Sequence, residues 1–479
     1  MKTRYLTLLF LFVTIFLHLI SFHFFPINYE FTFSEGSRFF DSFEKKYSNF
    51  YLDHQANTFL FSLLINVINR VTFDTFDNLL IARLISFSSY IFLTLGFINT
   101  CKFFNIHKSF TTLLIIFFLL NPVVWTLSLR STPDLISASL GFFASSLILL
   151  KYSNVLVKRL SLLILGISIS LKPFALIYLL YLFCFVKPEQ IKIFKIKNLV
   201  DSIFLIIIPF LYFGAMKKYF GFFILSETHY FRHSLKINLD FITQNFIGYF
   251  CFLSIFIFPT SLSLRTKINY NTIFFFIVLI LIGIYQFNFL KLGELNFGFF
   301  SSYINEYIIL TISYSLLFIL LLKLLEISKN AKIDKIDFKL IVTILIFIAI
   351  LSTSKPVQRY LIFIIPILTI LIVKNSRINN IKFLMLTGIF LYVPINLVSF
   401  LNMHSNSKLY HQIFHYLKSK NIEKVTDYRK LDHAFSFINV DNKLEKKYYI
   451  SKNSNDFIMK FENKFFGREI VYYLNAKNN

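Results

Sequence analysis

Ionisable side chains crowd into one polar stretch, Pro26–Asn57, directly after the first apolar run of a chain otherwise rich in Phe, Ile and Leu. Glu30, Glu35, Arg38, Asp41, Glu44, Lys45, Lys46, Asp53 and His54 all fall there. A chain this apolar places so many charges beside lipid only where they are hydrated or put to use. A carboxylate in such a loop can take a proton from an attacking hydroxyl, and low-dielectric surroundings move a carboxylic acid toward the pH range where a base works. Glu35 is the candidate base. Glu30 and Asp41 are its substitutes, and Asp53 with His54 closes the same loop. The bland reading of each is a solvated loop residue.

Cations recur further along. Lys172 stands between two short apolar runs, where an unpaired ammonium is costly; it either meets an anionic ligand group or snorkels to the interface. Lys355 and Arg359, with Tyr360 beside them, flank the start of another apolar run. They could grip a phosphate, a task for which a guanidinium is better shaped than an ammonium, or serve as an interfacial anchor pair. Arg130 and Asp134 lie four apart at a predicted helix start. That spacing permits a local ion pair and sets an acid at the positive helix end. Arg83 can pair with Asp74 or Asp77, or meet a ligand. Glu227, His229, Tyr230, Arg232 and His233 share a later segment. His229 and His233 could hold one metal ion together only on a helix, and no HExxH pattern is present. That segment therefore reads as a divalent-metal site, as a contact to an acceptor or pyrophosphate, or as a plain loop. No residue is assigned as a metal ligand and no cofactor is required, although a divalent metal is compatible with the pattern.

The elements that must position these groups follow from composition. Of 479 residues 56% are hydrophobic, and mean hydropathy is +0.64, more apolar than a soluble fold of this size needs. Several apolar stretches approach the ~20 residues that cross a bilayer as helix. The expected fold is an all-α polytopic membrane protein of about 11–13 transmembrane helices. Expected spans are Tyr5–Phe25, Ile81–Cys101, Phe110–Thr126, Asp134–Leu150, Leu160–Leu171, Pro173–Val186, Leu199–Met216, Phe241–Ser261, Asn271–Phe289, Glu306–Leu325, Leu340–Ser352, Leu361–Val373 and Phe383–Leu401. The fifth and sixth are short enough to be a broken pair meeting at Lys172. Tyr5–Phe25 has no small-x-small cleavage site after it and reads as a retained helix.

The formal net charge of +24 is spent in short loops between apolar runs, which points to topology and anionic headgroups and not to nucleic acid. Basic residues at Lys102, Lys151, Lys158, Arg159, Lys187–Lys197, Arg265, Lys323–Lys339 and Lys374–Lys382 mark the cytoplasmic side. The opposite face then collects Pro26–Asn78, Ser128–Pro133, Lys172, Lys217–Asp240, Lys291–Asn305 and Thr353–Tyr360. This holds if Thr58–Asn78 lies as an amphipathic hairpin at the outer surface instead of crossing. Residues 1–401 form the membrane domain, with the first outer loop at 26–78. The polar tail 402–479 is expected to be a small soluble α/β domain, with Tyr410–Leu417 helical and Ala434–Val440 strand-like. Cys101, Cys184 and Cys251 show no paired spacing, against disulfides and structural zinc.

In order along the chain stand Ser34-Glu35, Asp53-His54, Arg83-Leu84, Arg130-Ser131-Thr132-Pro133-Asp134, Leu171-Lys172-Pro173 and Lys355-Pro356-Val357-Gln358-Arg359-Tyr360. In this order and with this hydropathy the sequence resembles the GT-C superfamily of membrane glycosyltransferases, most nearly bacterial relatives of the protein O-mannosyltransferases and lipid A aminoarabinose transferases. It departs from them where Ser34-Glu35 stands for an acidic pair and where Asp53-His54-Gln55-Ala56-Asn57 lacks the family's prolines. The resemblance covers the membrane part and not the tail. It implies a sugar donor on polyprenyl phosphate, a lipid- or polymer-linked glycan acceptor, inversion at the anomeric carbon, and a periplasmic site in a bacterial inner membrane (or an ER-lumenal one). The rival from another class is a transporter or flippase for polyprenyl-linked glycans, which would favour mid-membrane charges and a visible repeat of two halves.

Overall fold

A computed structural model describes residues 59–72, 78–129, 132–185, 196–220, 239–263, 306–330, 335–353, 357–420, 425–427, 448–451, 457–465 and 468–476, with the isolated positions 12, 16, 274, 277, 278 and 281. The described part is mostly helical. The helices are α1 Phe59–Val71, α2 Asn78–Phe103, α3 Lys108–Leu119, α4 Pro122–Ser128, α5 Pro133–Leu150, α6 Val155–Leu171, α7 Ile177–Phe183 and α8 Ile196–Phe220. They continue with α9 Leu239–Ile257, α10 Glu306–Asn330, α11 Lys335–Ser352, α12 Ile365–Lys374 and α13 Ile378–Ser419. Two 3₁₀ turns, Pro173–Leu176 and Gln358–Phe363, precede α7 and α12. Six of the described helices are long and apolar enough to cross a membrane, or seven if the bent pair α3–α4 counts as one span.

The bend between α3 and α4 is 62° and has a local cause. Pro122 removes a helical N–H, and the Asn121 side chain accepts instead from the Val123 N–H at 3.1 Å while donating to Phe256 O. Side-chain pairings fix the direction of each helix. Gly96 meets the Phe142 ring, and Asn99 donates to Ser146 at 3.3 Å, so α2 and α5 run parallel. Lys158 bonds Asp201, and Gly166 faces Leu205 and Pro209, so α6 and α8 run parallel too. Between α5 and α6 the chain turns back within Lys151–Asn154. The bundle therefore has two ends about 27 Å apart, the length of the 18-residue α5. One end holds Asp134, Lys172 and Val357; the other holds Lys102, Lys151, Lys158 and Lys374.

Small residues set the closest helix approaches. An added Cβ at Gly141 would stand 2.4 Å from the Tyr178 ring, and one at Gly166 would stand 2.5 Å from Leu205 O. Around these contacts Phe97, Phe118 and Phe142 stack tilted or edge-on, and the buried core runs through α2–α7 and α9–α13.

Three features differ from expectation. Phe59–Val71 is one 13-residue helix with no hairpin turn inside it; Thr58–Thr72 contains no Gly or Pro to turn it. Phe61 and Ile65, one turn apart, bury against Ile81, Ala82, Ile85, Ile136 and Leu171, while Leu63, Leu64 and Val67 stay exposed. Secondly, α10 runs on to Asn330 with Lys323 fully buried instead of ending in a basic loop. Thirdly, α13 passes unbroken through position 401 to Ser419, despite Pro394. Beyond it lies a four-stranded sheet, β1 Val425–Asp427, β2 Tyr448–Ser451, β3 Phe457–Phe465 and β4 Arg468–Ala476, in the order β1-β2-β4-β3. Only β1 and β2 are parallel. Tyr416 of α13 meets Phe461 of β3 at 5.5 Å between ring centroids. The helical expectation for Tyr410–Leu417 falls inside α13; Ala434–Val440 lies outside the described residues, as do most of Tyr5–Phe25 and Asn271–Phe289.

Candidate functional site

Three segments distant in sequence meet at one carboxylate. Asp134 sits in the first turn of α5, after the extended N-cap Thr132 and with Pro133 opening the helix. Proline suits that position because its missing N–H would have had no intrahelical partner. Lys172 caps the C-terminal end of α6 with extended backbone, φ −155° and ψ 116°, as the following Pro173 dictates. Its N–H still donates to Ser168 O at 3.0 Å. Arg359 rides the 3₁₀ turn Gln358–Phe363, whose entry is pinned by the Val357 N–H donating to the Tyr249 hydroxyl at 2.8 Å.

The Asp134 carboxylate lies 3.7 Å from Lys172 Nζ and 3.2 Å from Arg359 Nε. Its side chain is 1% exposed, against 14% for Lys172 and 32% for Arg359. A buried carboxylate thus holds two cations that are both partly exposed. The two converge on it from distant segments, and guanidinium and ammonium are the group types that recognise phosphate. The Tyr360 ring lies under them, 5.2 Å from Lys172 Nζ and 5.7 Å from the Arg359 guanidinium carbon. Phe174 packs on Tyr360 with centroids 4.3 Å apart.

Below the charges, α5 and α6 are locked by a reciprocal pair. The Ser137 hydroxyl donates to Ser168 O at 2.8 Å, and the Ser168 hydroxyl donates to Ser137 O at 2.7 Å. Ser168 O also receives the Lys172 N–H. Ser137 is one turn from Asp134, so this pair fixes the carboxylate against the end of the lysine's helix. Tyr178 of α7 seals the next layer and approaches Phe363, from the turn that carries Arg359. The turn that carries Arg359 is thereby held from α7 through Tyr178 and from α9 through Tyr249.

Of the residues singled out by sequence, Asp134, Lys172, Arg359 and Tyr360 are brought together. Arg83 is buried on α2 near the same end, one turn from Ser86, whose hydroxyl donates to Thr132 O at 3.4 Å. Glu35, Asp41, Asp53, His54, Arg130, His229, Arg232 and Lys355 lie outside the described residues. So do Glu30, Asp74, Asp77 and His233. The local Arg130–Asp134 pair therefore lies outside the described residues; among these, Asp134 meets Lys172 and Arg359. Lys172 is not an isolated ammonium but an ion-paired one.

Sequence reading passed over Ser137, Ser168, Phe174 and Tyr249. Phe174 carried no signal among 65 phenylalanines. Ser137 and Ser168 bond each other's carbonyls across two helices, a pairing visible only once the helices are packed. Among the described residues no group of three His, Cys, Asp or Glu could hold a metal ion, and the three cysteines are free and buried. No protein-family model, no characterised protein and no solved structure matches this chain.

Proposed function

We propose that this chain is an integral membrane glycosyltransferase of GT-C type, with 11–13 crossings in all, that transfers a sugar from a polyprenyl-phosphate donor to a lipid- or polymer-linked glycan at the non-cytoplasmic face. The observation that carries the reading is the Asp134 carboxylate holding Lys172 and Arg359 together at one end of an apolar bundle. The concentration of the other basic residues at the far end supports a non-cytoplasmic place for this site.

In this reading Lys172 and Arg359 bind the donor phosphate. As the acceptor oxygen attacks the anomeric carbon, the bond from that carbon to the phosphate oxygen breaks, and the two cations take up the charge left on the departing polyprenyl phosphate. Attack opposite the leaving group inverts the centre. The acceptor proton passes to a carboxylate of the first outer loop, Glu35 by the resemblance, with Asp41 and Asp53 beside it in sequence. Asp134 orients the cations and is not the base, because its oxygens already face both of them. Tyr360 and Phe174 offer an apolar wall for the first isoprene units or the sugar face. His54, Arg83, Arg130, His229, Arg232 and Lys355 are the further substrate-binding candidates. Membrane lipids are the other partners; the site is cellular envelope chemistry at a bacterial inner membrane.

The test is transfer of radiolabelled sugar from a polyprenyl-phosphate donor to extracted envelope lipids and glycans by the protein in proteoliposomes. Wild type should transfer; Lys172→Ala should raise the half-saturating donor concentration by roughly 10–100-fold, the worth of one charge-assisted contact. Wild-type protein that moves the intact lipid-linked sugar across the bilayer without transferring it would replace this reading with the flippase.

A further inference from the structure

α9 carries Phe241, Phe246, Phe250, Phe252 and Phe256 along its length but sets a tyrosine at 249. Tyr249 is 1% exposed. A phenylalanine fills the same space without a hydroxyl that must find a partner, so the hydroxyl is what this position adds. Its partner is the Val357 N–H, which donates to it at 2.8 Å. Four residues earlier, on the same face of α9, the Asn245 side-chain amide donates to Ser352 O at 3.0 Å.

The two bonds fall on either side of one connection. Ser352 is the last residue of α11, and its carbonyl is among those that a helix end leaves without an intrahelical donor. Val357 is the extended residue, φ −133° and ψ 98°, from which the 3₁₀ turn Gln358–Phe363 starts. Its carbonyl accepts from the Tyr360 N–H at 3.1 Å, and a valine has no side-chain oxygen to cap the turn. The grip on its N–H comes from α9 instead. The far end of the turn is fixed differently, by the wholly buried Leu361, Ile362 and Phe363. Between these anchors stands Arg359, 3.2 Å from Asp134. Apolar burial presses a segment against the core but is non-directional. A hydrogen bond sets distance and angle.

We infer that Tyr249, with Asn245 as a second anchor, is a positioning residue for Arg359. Its hydroxyl sets where the turn begins, and thereby where the guanidinium meets Asp134 and a bound phosphate. The inference rests on the reading of Arg359 as a phosphate contact. It adds that control of this contact lies in α9, a helix that supplies none of the three charges gathered at Asp134, Lys172 and Arg359. A misplacement of about 1 Å away from the reacting atoms can cost about 100-fold in rate, so one hydroxyl at the entry of this turn has leverage on the site.

The experiment compares wild type, Tyr249→Phe and Asn245→Ala in two assays. The first is binding of labelled polyprenyl phosphate, with each variant also made in the Lys172→Ala and Arg359→Gln backgrounds. Tyr249→Phe should bind about tenfold more weakly, no more than loss of the guanidinium contact itself. It should cost the same factor in the Lys172→Ala background and nothing further where Arg359 is already Gln. The second assay needs no ligand: modification of Arg359 by phenylglyoxal, read by peptide mass spectrometry. Release of the guanidinium from Asp134 should speed modification severalfold in Tyr249→Phe, and less in Asn245→Ala. Wild-type affinity in Tyr249→Phe, or an unchanged rate of Arg359 modification, would overturn the inference. So would a loss of affinity that persists in full in the Arg359→Gln background, the mark of a general packing role. If wild type itself does not bind polyprenyl phosphate, the phosphate reading of the site falls, and the modification rate alone decides whether Tyr249 positions Arg359. If Tyr249→Phe fails to fold, Asn245→Ala decides by the same assays.

Discussion

Gly141→Ala should loosen the site from below, and its cost can be worked from the packing. A Cβ at Gly141 would lie 2.4 and 2.7 Å from two Tyr178 ring atoms and 2.8 Å from Ser168 Oγ. Tyr178 is wholly buried and backed by Phe142 and Phe363, with centroids 6.3 and 6.4 Å away, so its ring has no free space to withdraw into. Ser168 is held in the reciprocal bonds with Ser137. α6 and α7 must therefore move away from α5, an overpacking cost of about 1–3 kcal/mol. Replacing glycine in a helix also returns about 0.5–1 kcal/mol. Gly214→Ala is the matched control: it sits in α8 with nothing within 4 Å of the added carbon. The helix contribution is common to both variants, so their difference of about 1–3 kcal/mol isolates the overpacking. Unfolding in mixed micelles with increasing SDS would measure it. Equal midpoints for Gly141→Ala and Gly214→Ala would refute the close α5–α6–α7 contact, and with it the rigid support of Asp134 and Lys172.

Three further outcomes are expected. Lys323→Met should destabilise by about 3–5 kcal/mol, because the buried ammonium bonds Ser263 O at 2.7 Å, Asn375 O at 3.2 Å and Glu326 at 3.3 Å. Adding Glu326→Leu should recover part of that loss, and the same SDS titration reads both. Ser137→Ala and Ser168→Ala should each cost about 0.5–1.5 kcal/mol. The double variant should show coupling in a mutant cycle; strict additivity would mean the two bonds do not support one another. In the sheet, a side-chain hydrogen bond from Lys460 holds the Glu462 carboxyl below its ordinary value, and the same bond holds the Lys460 ammonium above its own. The stabilisation of the carboxylate is present above the ordinary carboxylate range and lost as pH falls through the lowered value; that of the ammonium is present below the ordinary lysine range and lost as pH rises through the raised one. An NMR titration of Glu462 in Lys460→Met should show its midpoint move up; an unmoved midpoint would remove the pair.

Much of the bundle was legible because hydrophobic runs report helices directly. Asp134–Leu150 and Phe241–Ser261 fall within one or a few residues of α5 and α9. The order of basic residues along the chain anticipated which helix ends share a side: Lys151, Lys158 and Lys374 lie opposite Asp134, Lys172 and Arg359. What could not be read was which charge pairs with which. Spacing displays only local partners, such as Arg130 for Asp134, and Arg130 lies outside the described residues. The fold brings Lys172 from the next helix and Arg359 from more than two hundred residues away. Lys323 was equally hidden: a lysine near a helix end reads as a loop residue, and only the carbonyls of Ser263 and Asn375 explain its burial. Glu326, three residues on, was the one local hint. Within the segment Thr58–Asn78, expected as a hairpin, Phe59–Val71 is one helix: Asn66 and Asn69 interrupt its apolar run, but no Gly or Pro turns the chain there.

Binding of labelled polyprenyl phosphate to the purified protein tests the central claim most directly. The double variant Lys172→Ala/Arg359→Gln should lose affinity by more than about 100-fold, the combined worth of two charge-assisted contacts. Arg159→Gln, at the other end of the bundle, should bind like wild type. Undiminished binding by the double variant would show that the charges gathered on Asp134 do not hold a lipid phosphate.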